Sequence, residues 1–134
     1  MVKIISIIPA RSGSKRIKDK NIKKYKGTPL LSHSIKHSLK SKYIQRTIVS
    51  TDSKKYAEIA IKYGAEVPFL RPKKISKDRS TDLECFIHCL NFLKDKERYI
   101  PDIIVHLRPT YPIREKNLID NCIKLLIKKN TFHN

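Results

Sequence analysis

A basic loop directly after an apolar run is the part of this sequence best equipped for chemistry. Residues 3–8 form a short segment that is apolar after Lys3 and rich in isoleucine, which predicts a buried strand. The loop over residues 9–28 follows, and five of its cations fall within ten residues: Arg11, Lys15, Arg16, Lys18 and Lys20. Ser12, Gly13 and Ser14 are small, so backbone N–H groups there can approach an anion closely. A strand followed by small residues and cations is the order that a triphosphate site at the carboxyl end of a strand requires.

This loop carries neither of the common glycine-rich phosphate signatures. The Walker A pattern needs Gly-x-x-x-x-Gly-Lys-Ser/Thr and the dinucleotide pattern needs Gly-x-Gly-x-x-Gly. Gly13 is the only glycine in residues 8–21. On spacing alone, a solvated basic loop is the competing interpretation, because lysine is abundant throughout the chain.

Composition narrows the class of protein. A chain of 134 residues is long enough for one domain with a buried core. It has no run of 18 apolar residues and no signal-peptide pattern, so we expect no membrane partner and a cytoplasmic location. Cys85, Cys89 and Cys122 form no paired framework, which favours a reducing compartment. We interpret Cys85 and Cys89 as small buried residues of a helix rather than as zinc ligands.

The net charge of +18 raises the question of a nucleic-acid partner. The chain has 22 lysines, 8 arginines and 20 isoleucines, and the lysines are scattered over every segment. An A/T-rich coding sequence would produce the same excess of lysine and isoleucine. We therefore predict no specific nucleic-acid partner.

The order of predicted elements indicates an α/β fold. Strands are predicted at 3–8, 47–50, 66–70 and 102–107, and helices from Pro29, over 53–63, from Ser80 or Thr81, and over 115–128. Asp52 is interpreted as a cap of the second helix, and Thr81 with Glu84 as a capping box. Strand and helix alternate four times, which predicts a doubly wound, mostly parallel sheet with helices on both faces. The inward faces are predicted to be Leu83, Phe86, Ile87, Leu90 and Leu93 in the third helix, and Leu118, Ile119, Cys122, Ile123, Leu126 and Ile127 in the last.

Five ordered strings connect this sequence with a known family. They are IIPARSGSKRIKDKNI at 7–22, IVSTDS at 48–53, AEIAIKYGAEVPFLRP at 57–72, KDRSTD at 77–82 and VHLRPTYPIR at 105–114. Together they resemble the N-terminal portion of the acylneuraminate (CMP-sialic acid) cytidylyltransferases, which have a Rossmann-like nucleotidyltransferase core. Ser-Lys at 14–15 and Lys-Asn at 20–21 are similar to the acylneuraminate branch rather than to the deoxyoctulosonate (KDO) branch.

The resemblance implies transfer of CMP from CTP to a nonulosonic sugar acid with release of pyrophosphate, in the synthesis of surface polysaccharide or glycan. It implies Arg11 and Lys15 as catalytic residues. The implied nucleotide-binding residues are Arg11, Ser14, Lys15, Lys20, Asn21, Arg71, Ser80 and Thr81. For Ser80 and Thr81, a purely structural role as helix cap is the alternative.

The sequence also departs from the family pattern. Arg108 and Tyr111 stand where glutamine and serine are commonest, so both are weak candidates for binding the sugar, and pseudaminic or legionaminic acid stays open as substrate. The resemblance implies a Mg²⁺ cofactor whose acidic ligands lie beyond residue 134, so no metal ligands are expected in this chain.

Residues 1–134 are thus expected to be a single nucleotide-binding domain that lacks the C-terminal part of the family fold. A homodimer and a missing companion chain are both open as partners. The alternative functions are a non-catalytic module that binds CTP or polyanions, and an inactive truncated remnant.

Overall fold

The computed structural model describes residues 1–14 and 16–129. Its strands are β1 (Ile4–Pro9), β2 (Lys24–Tyr25), β3 (Thr28–Pro29), β4 (Arg46–Ser50) and β5 (Ile103–His106). Its α-helices are α1 (Leu30–Lys40), α2 (Lys54–Lys62), α3 (Asp82–Glu97) and α4 (Leu118–Lys129). Two single 3₁₀ turns lie at Lys20–Ile22 and Lys73–Ile75. No helix in the described part of the chain is long and apolar enough to cross a membrane.

The central sheet is parallel and has the order β4-β1-β5. Ile7 of β1 is in register with Ile48 of β4 on one side and with His106 of β5 on the other. β2 and β3 form a separate antiparallel pair within the connection from β1 to α1. Because the three main strands are parallel, their carboxyl ends meet at one edge, and the loops that follow them are brought together there.

Alternating residues of β1 pack against helices on the two faces of the sheet. Ile5 and Ile7 pack on one face against a buried row of α3, made of Cys85, Cys89 and Leu93. Ile8 packs on the other face, in a cluster that contains Leu31 and Ile35 of α1 and Ala60 of α2. Ile4 packs with Ile103 and with Ile123 of α4. The predicted parallel sheet with helices on both faces is confirmed.

Hydroxyl groups join α1 to the sheet inside the core. The side chains of Ser6, Ser38 and Thr47 are buried, with 2.7 Å from Ser6 Oγ to Ser38 Oγ and 2.6 Å from Ser38 Oγ to Thr47 Oγ1. Each buried hydroxyl is therefore satisfied by a neighbour, as burial of a polar group requires.

The prediction of a strand over 66–70 was wrong. Only one parallel bridge forms there, between Ile48 and Glu66. Glu66 exchanges two backbone hydrogen bonds with β4, from Val49 N to Glu66 O and from Glu66 N to Thr47 O. Pro68 follows two residues later, and proline has no backbone N–H to continue a ladder.

The predicted inward faces of two helices were partly wrong. In α3, Leu83 and Ile87 are 65% and 49% exposed, whereas Cys85 and Cys89 are fully buried beside Leu93. Both stripes have helical spacing, so periodicity did not distinguish them, and the smaller cysteines occupy the close contact with the sheet. In α4, Ile123 is buried and Ile119 and Ile127 pack against the core as predicted, whereas Leu118, Cys122 and Leu126 are exposed.

The buried thiols behave as the sequence predicted. Burial raises the pKa of Cys89 to about 12 and also raises the pKa of Cys85, so both stay neutral at physiological pH. They are packing residues of α3.

Candidate functional site

A pocket lies at the carboxyl edge of the sheet, where the loops after β1 and β5 meet the start of α3. Its volume is about 250 Å³, just below the roughly 300–1,000 Å³ typical of small-molecule sites. The loop wall consists of Pro9, Arg11, Ser14, Lys20 and Asn21. The helix wall consists of Arg71, Ser80, Thr81 and Asp82. The strand wall consists of His106, Arg108, Pro109 and Thr110.

Arg11 is held by contacts to two different segments. Its Nη2 lies 3.0 Å from Oδ1 of Asp78, and its Nη1 donates a hydrogen bond to the carbonyl of Gly13. Asn21 is buried, and its Nδ2 donates to the carbonyl of Arg11 at 3.0 Å. Asn21 therefore lines the pocket and also fixes the backbone from which Arg11 extends.

The basic loop is also anchored to α2 and to the segment before it. Asp52 accepts hydrogen bonds from the backbone N–H of Ser12 at 2.8 Å and from its Oγ at 2.9 Å. Tyr56 donates from its hydroxyl to Asp19 at 2.8 Å, and Asp19 has the left-handed φ of 53°. The cap of α2 is Ser53, whose Oγ accepts from the N–H of Tyr56. The interpretation of Asp52 as the helix cap was therefore wrong, because its carboxylate is used to hold the loop.

Arg71 forms the buried base of the helix wall. The residue is only 5% exposed, and it donates from Nε to Ser50 Oγ at 3.0 Å and from Nη2 to Ser50 O at 2.9 Å. Its Nη1 lies 3.5 Å from the carbonyl of Ile75. The guanidinium thus ties the end of β4 to the 71–76 segment while lining the pocket.

The rest of the helix wall is set by the start of α3. The predicted capping box is confirmed: Thr81 Oγ1 accepts from the N–H of Glu84, and the Glu84 side chain accepts from the N–H of Thr81. Ser80 Oγ accepts from the N–H of Lys77 at 2.9 Å. These structural bonds do not remove Ser80 and Thr81 from the pocket, since both still line it.

The strand wall is braced from outside by Arg114. This side chain donates to the carbonyl of Arg108 at 3.2 Å and to the carbonyl of Tyr111 at 3.0 Å. It also contacts Ser34 Oγ at 3.1 Å and His37 Nδ1 at 2.7 Å, both in α1. Arg108 reaches the pocket, whereas Tyr111 is not among the residues that line it; its ring lies 6.0 Å from the Arg108 guanidinium.

The structure thus brings together most of the residues that the sequence singled out. Arg11, Ser14, Lys20, Asn21, Arg71, Ser80, Thr81 and Arg108 all line the pocket. Lys15 lies outside the described residues. Sequence reasoning missed Asp82, His106 and Thr110. Asp82 and Thr110 lie inside quoted strings, but only the approach of α3 to the end of β5 makes Asp82 and His106 neighbours.

The charges on the walls differ. Arg11 and Lys20 on the loop wall, together with Arg71 and Arg108, are the arginine and lysine side chains that line the pocket, and Asp82 is the one carboxylate among the described residues that line it. The Asp82 carboxylate faces His106, with 3.6 Å between Oδ2 and Nε2. The pKa of His106 is lowered from its ordinary value. Burial lowers it most, the charge of Asp82 offsets part of this shift, and the charge of Arg108 adds to it. Such a pocket attracts a polyanion to its cationic side.

The donor set for a metal is incomplete in the described chain. Residues 1–14 and 16–129 contain no group of three or more His, Cys, Asp or Glu side chains that could hold a metal ion. Asp52 and Asp78, which lie beside the basic loop, are engaged by Ser12 and Arg11 respectively.

Comparison with known proteins identifies the family. The family model described as Cytidylyltransferase matches residues 5–133. The chain belongs to this cytidylyltransferase family. It is 35% identical over 124 residues to CMP-N,N'-diacetyllegionaminic acid synthase of Legionella pneumophila, covering 92% of this chain and 53% of that protein. It is 39% identical over 123 residues to N-acylneuraminate cytidylyltransferase of Escherichia coli, covering 92% of this chain and 28% of that protein.

A third relative supports this assignment, and two solved structures share the fold. Pseudaminic acid cytidylyltransferase of Campylobacter jejuni is 34% identical, with 97% of this chain and 56% of that protein covered. CMP:2-keto-3-deoxy-manno-octonic acid synthetase complexed with CTP shares the fold with a TM-score of 0.78 at 17% identity, over 95% of this chain and 48% of that one. A cytidylyltransferase from Leptospira borgpetersenii gives 0.73 at 25% identity, with 97% and 51% covered. The cytidylyltransferase chain described here therefore spans about half the length of most of these relatives.

Proposed function

We propose that residues 1–134 form the CTP-binding domain of an enzyme that transfers CMP from CTP to a nonulosonic sugar acid. In this reaction a sugar hydroxyl attacks the α-phosphorus of CTP, a new oxygen–phosphorus bond forms, and the bond to the departing pyrophosphate breaks. The product would serve the synthesis of surface polysaccharide or glycan. The observation that carries the proposal is the convergence of Arg11, Lys20, Arg71 and Arg108 on one pocket at the carboxyl edge of a parallel sheet.

The loop wall suits the triphosphate. Arg11 offers a planar fork for two hydrogen bonds to phosphate oxygens, and Lys20 adds a mobile point charge. Ser14 lines the pocket together with them. We propose that Arg11 exchanges its contact with Asp78 for the phosphates, since the two side chains are 28% and 41% exposed and an ion pair so open to water is weak. Lys15 is proposed as the second catalytic cation of the loop on the resemblance alone.

Arg108 is the proposed contact for the sugar acid. Its side chain lies on the strand wall, and a guanidinium binds a carboxylate through two parallel hydrogen bonds. Tyr111 supports Arg108 in this proposal, through the contact of its ring with the guanidinium. Which nonulosonic acid is used stays open, because the relatives named above act on three different ones.

Mg²⁺ is proposed as cofactor of the complete enzyme, but the described residues do not form a site for it. Mg²⁺ is usually held by one or two carboxylates together with substrate phosphates. Asp82 is the one carboxylate in the pocket, and no metal-binding group surrounds it in residues 1–14 and 16–129. We therefore assign no step of the reaction to the metal in this chain.

A companion chain is the partner that we propose for the complete site. β5 is an edge strand, and beside it runs a groove of about 380 Å³, the α4–β5 groove, which is lined by Ile103, Ile104, Val105, His106, Leu107, Arg114, Leu118, Ile119, Cys122, Ile123 and Leu126. Because His106 belongs to both the groove and the pocket, a segment packed there would border the pocket. A homodimer is the less favoured partner, since two copies of charge +18 repel each other.

We also propose a cytoplasmic location, which the free thiols of Cys85, Cys89 and Cys122 support.

Calorimetric titration of CTP, ATP and UTP into the purified chain tests the binding proposal. We expect selective CTP binding, and an Arg11→Ala variant should weaken it by about 100-fold, because two charge-assisted hydrogen bonds are lost. Arg16→Ala is the matched control: Arg16 is exposed on the same loop and does not line the pocket. Equal binding of all three nucleotides that disappears in moderate salt would indicate non-specific polyanion binding and would contradict the proposal.

Transfer itself is tested by pyrophosphate release with CTP, Mg²⁺ and a panel of nonulosonic acids. The measurement is made on the chain alone and again after adding the C-terminal half of a relative as companion. Sedimentation velocity on the same samples reports whether the two associate. We expect release above background only in the mixture, and background in every sample would overturn the transfer proposal while leaving CTP binding intact.

A further inference from the structure

The fold collects much of the positive charge of the chain at the carboxyl edge of the sheet. Parallel strands end at this edge and the helices that follow them begin there. The 71–81 segment reaches the same edge, because Arg71 is bonded to the carbonyls of Ser50 and Thr51 at the end of β4. Apart from Lys15, the connections at this edge carry 15 arginines and lysines against four carboxylates. These connections are residues 10–29, 51–53, 71–81 and 107–117.

The opposite edge of the sheet is close to neutral. Its connections carry three arginines and lysines against two carboxylates. Nearby, Arg46 at the start of β4 is paired with Glu66 at 2.6 Å and with Glu97 at 3.0 Å. A lysine excess that came from base composition alone would fall on both edges, so base composition does not account for the asymmetry. The connections at the opposite edge are residues 1–3, 41–45, 63–66 and 98–102.

Several lysines beside the pocket have no counter-charge within the described chain. None of them forms an ion pair with a described residue, and none of them lines the pocket. They border it, since the N–H of Lys77 donates to Ser80, Arg71 contacts the carbonyl of Ile75, and the 3₁₀ turn with Lys20 and Asn21 runs directly into Lys23. We define six of these exposed lysines as the cationic rim: Lys18, Lys23, Lys24, Lys73, Lys74 and Lys77.

The rim is near enough to the pocket to act on a ligand through water. The Debye length is about 8 Å at physiological ionic strength. The six residues of β1 separate the two edges by about 20 Å, so charges at the opposite edge are largely screened from the pocket. A cleft bordered by charge of one sign raises the association rate of an oppositely charged ligand by about 10- to 1,000-fold.

We propose that the cationic rim is a steering surface, which speeds the capture of small anionic substrates by the pocket and does not contact them once they are bound. Its ligands are a nucleoside triphosphate, which carries several negative charges, and a sugar acid, which carries one. A long polyanion laid across the rim would cover the pocket, whereas a small ligand passes over the rim and enters. This inference rests on the proposed CTP-binding function and adds how the substrate reaches the site.

The test is the association rate constant of a fluorescent CTP analogue labelled on the ribose, measured by stopped flow in EDTA at about 20 and about 150 mM salt. The rim variant combines Lys73→Gln, Lys74→Gln and Lys77→Gln, which remove three charges and keep the side chains long. We expect its association rate constant to fall about 5-fold at the higher salt concentration and further at the lower one, with an unchanged dissociation rate constant.

The matched control combines Lys42→Gln, Lys94→Gln and Lys96→Gln. These lysines are exposed, lie outside the pocket and belong to the opposite edge or to the end of α3 that approaches it. The control loses the same number of charges as the rim variant, and its association rate constant should equal that of the wild type because those charges are screened from the pocket.

A wild-type association rate constant that does not change with salt would overturn the inference, and so would equal losses in the rim variant and the control. A single-stranded RNA of about 20 nucleotides is the competing probe at the higher salt concentration. If it displaces the CTP analogue and loses affinity only in the rim variant, the rim is a nucleic-acid surface and the inference is wrong. If the wild-type chain does not prefer the CTP analogue to the matching UTP analogue, the proposed function fails as well; if it keeps that preference while association is independent of salt, only the inference on the rim fails.

Discussion

The pocket at the carboxyl edge of the sheet and the α4–β5 groove differ in which side chains are buried and which are exposed. Around the pocket, polar groups are buried and paired, as Arg71 is with Ser50 and Asn21 with the Arg11 carbonyl. Along the groove, apolar side chains are exposed, with Leu118 at 43% and Leu126 at 43%. The first region is supported by contacts within the described chain, whereas the second presents a surface that a further element could bury. This contrast yields four predictions.

The largest effect is expected from Arg71→Ala, which removes the buried cation of the pocket. The substitution removes the donor to the hydroxyl of Ser50, leaves the Ser50 carbonyl with the N–H of Ala10 alone and opens a cavity, so the free energy of unfolding should fall by about 3 kcal/mol. Urea unfolding followed by circular dichroism measures this loss. Arg79→Ala, at an exposed position in the same connection, is the control and should change stability by less than about 0.5 kcal/mol. A loss of that small size for Arg71 would show that the pocket is not held by this side chain.

The second prediction compares two residues of α4. Ile123 is 3% exposed and packs with Ile4 and Ile103, while Leu125 is 53% exposed. Ile123→Ala should lower the free energy of unfolding by about 2 kcal/mol, through lost burial and a cavity. Leu125→Ala should cost less than about 0.5 kcal/mol in the same measurement. Equal losses that increase with protein concentration would mean that the exposed side of α4 is covered by another copy in solution.

The features that the sequence could predict are those set by a local pattern or by the topology of parallel strands. Continuous apolar runs predicted β1, β4 and β5 because buried parallel strands have few alternatives. The capping box at Thr81 was predictable because it is a local pattern within three residues. Most of the pocket residues were named through ordered motifs that follow strands, and parallel strands bring such loops to one edge.

The remaining features depend on contacts between distant segments. The buried stripe of α3 is chosen by the space above β1, where Cys85 and Cys89 fit, and not by hydrophobicity, which favoured Leu83 and Ile87. Asp52 resembled a helix cap from its position, but its carboxylate is used by Ser12, 40 residues away. Likewise, nothing local in the sequence connects Asp82 with His106. Each of these outcomes is set by tertiary geometry, which a single sequence does not display.

The third prediction concerns the anchor between the basic loop and α2. Burial and the hydrogen bond to Asp19 raise the pKa of Tyr56, so its hydroxyl stays a neutral donor. Tyr56→Phe should lower the free energy of unfolding by about 1 kcal/mol and weaken CTP binding by less than about 5-fold, because the loop loses one of its anchors. Thermal unfolding and CTP titration measure the two effects. Tyr63→Phe, on the same segment and in contact with Lys36 and Lys62 through its ring, is the control and should change neither.

The smallest effect is expected at His37, which contacts Arg114, a residue that lines the α4–β5 groove and donates to the carbonyl of Arg108. Arg114 is always a donor, so Nδ1 of His37 must accept from it and the imidazole must be neutral. Burial, followed by the charge of Arg114, lowers the pKa of His37 from its ordinary 6.5. The unfolded chain therefore binds this proton at a higher pH than the folded chain does. The stability that the neutral histidine contributes is complete above about pH 6.5 and is lost as the pH falls through the lowered pKa.

His37→Gln removes this titrating group while retaining an acceptor for Arg114, so its unfolding free energy should decline less between pH 7 and pH 5 than that of the wild type. Urea unfolding at a series of pH values measures both curves. His88 and His106, whose pKa values are also lowered, titrate in both proteins, and their share cancels in the difference. Parallel curves would mean that His37 does not couple α1 to the Arg114 brace, and the strand wall would then be held by the Ser34 contact and by the two carbonyls that Arg114 reaches.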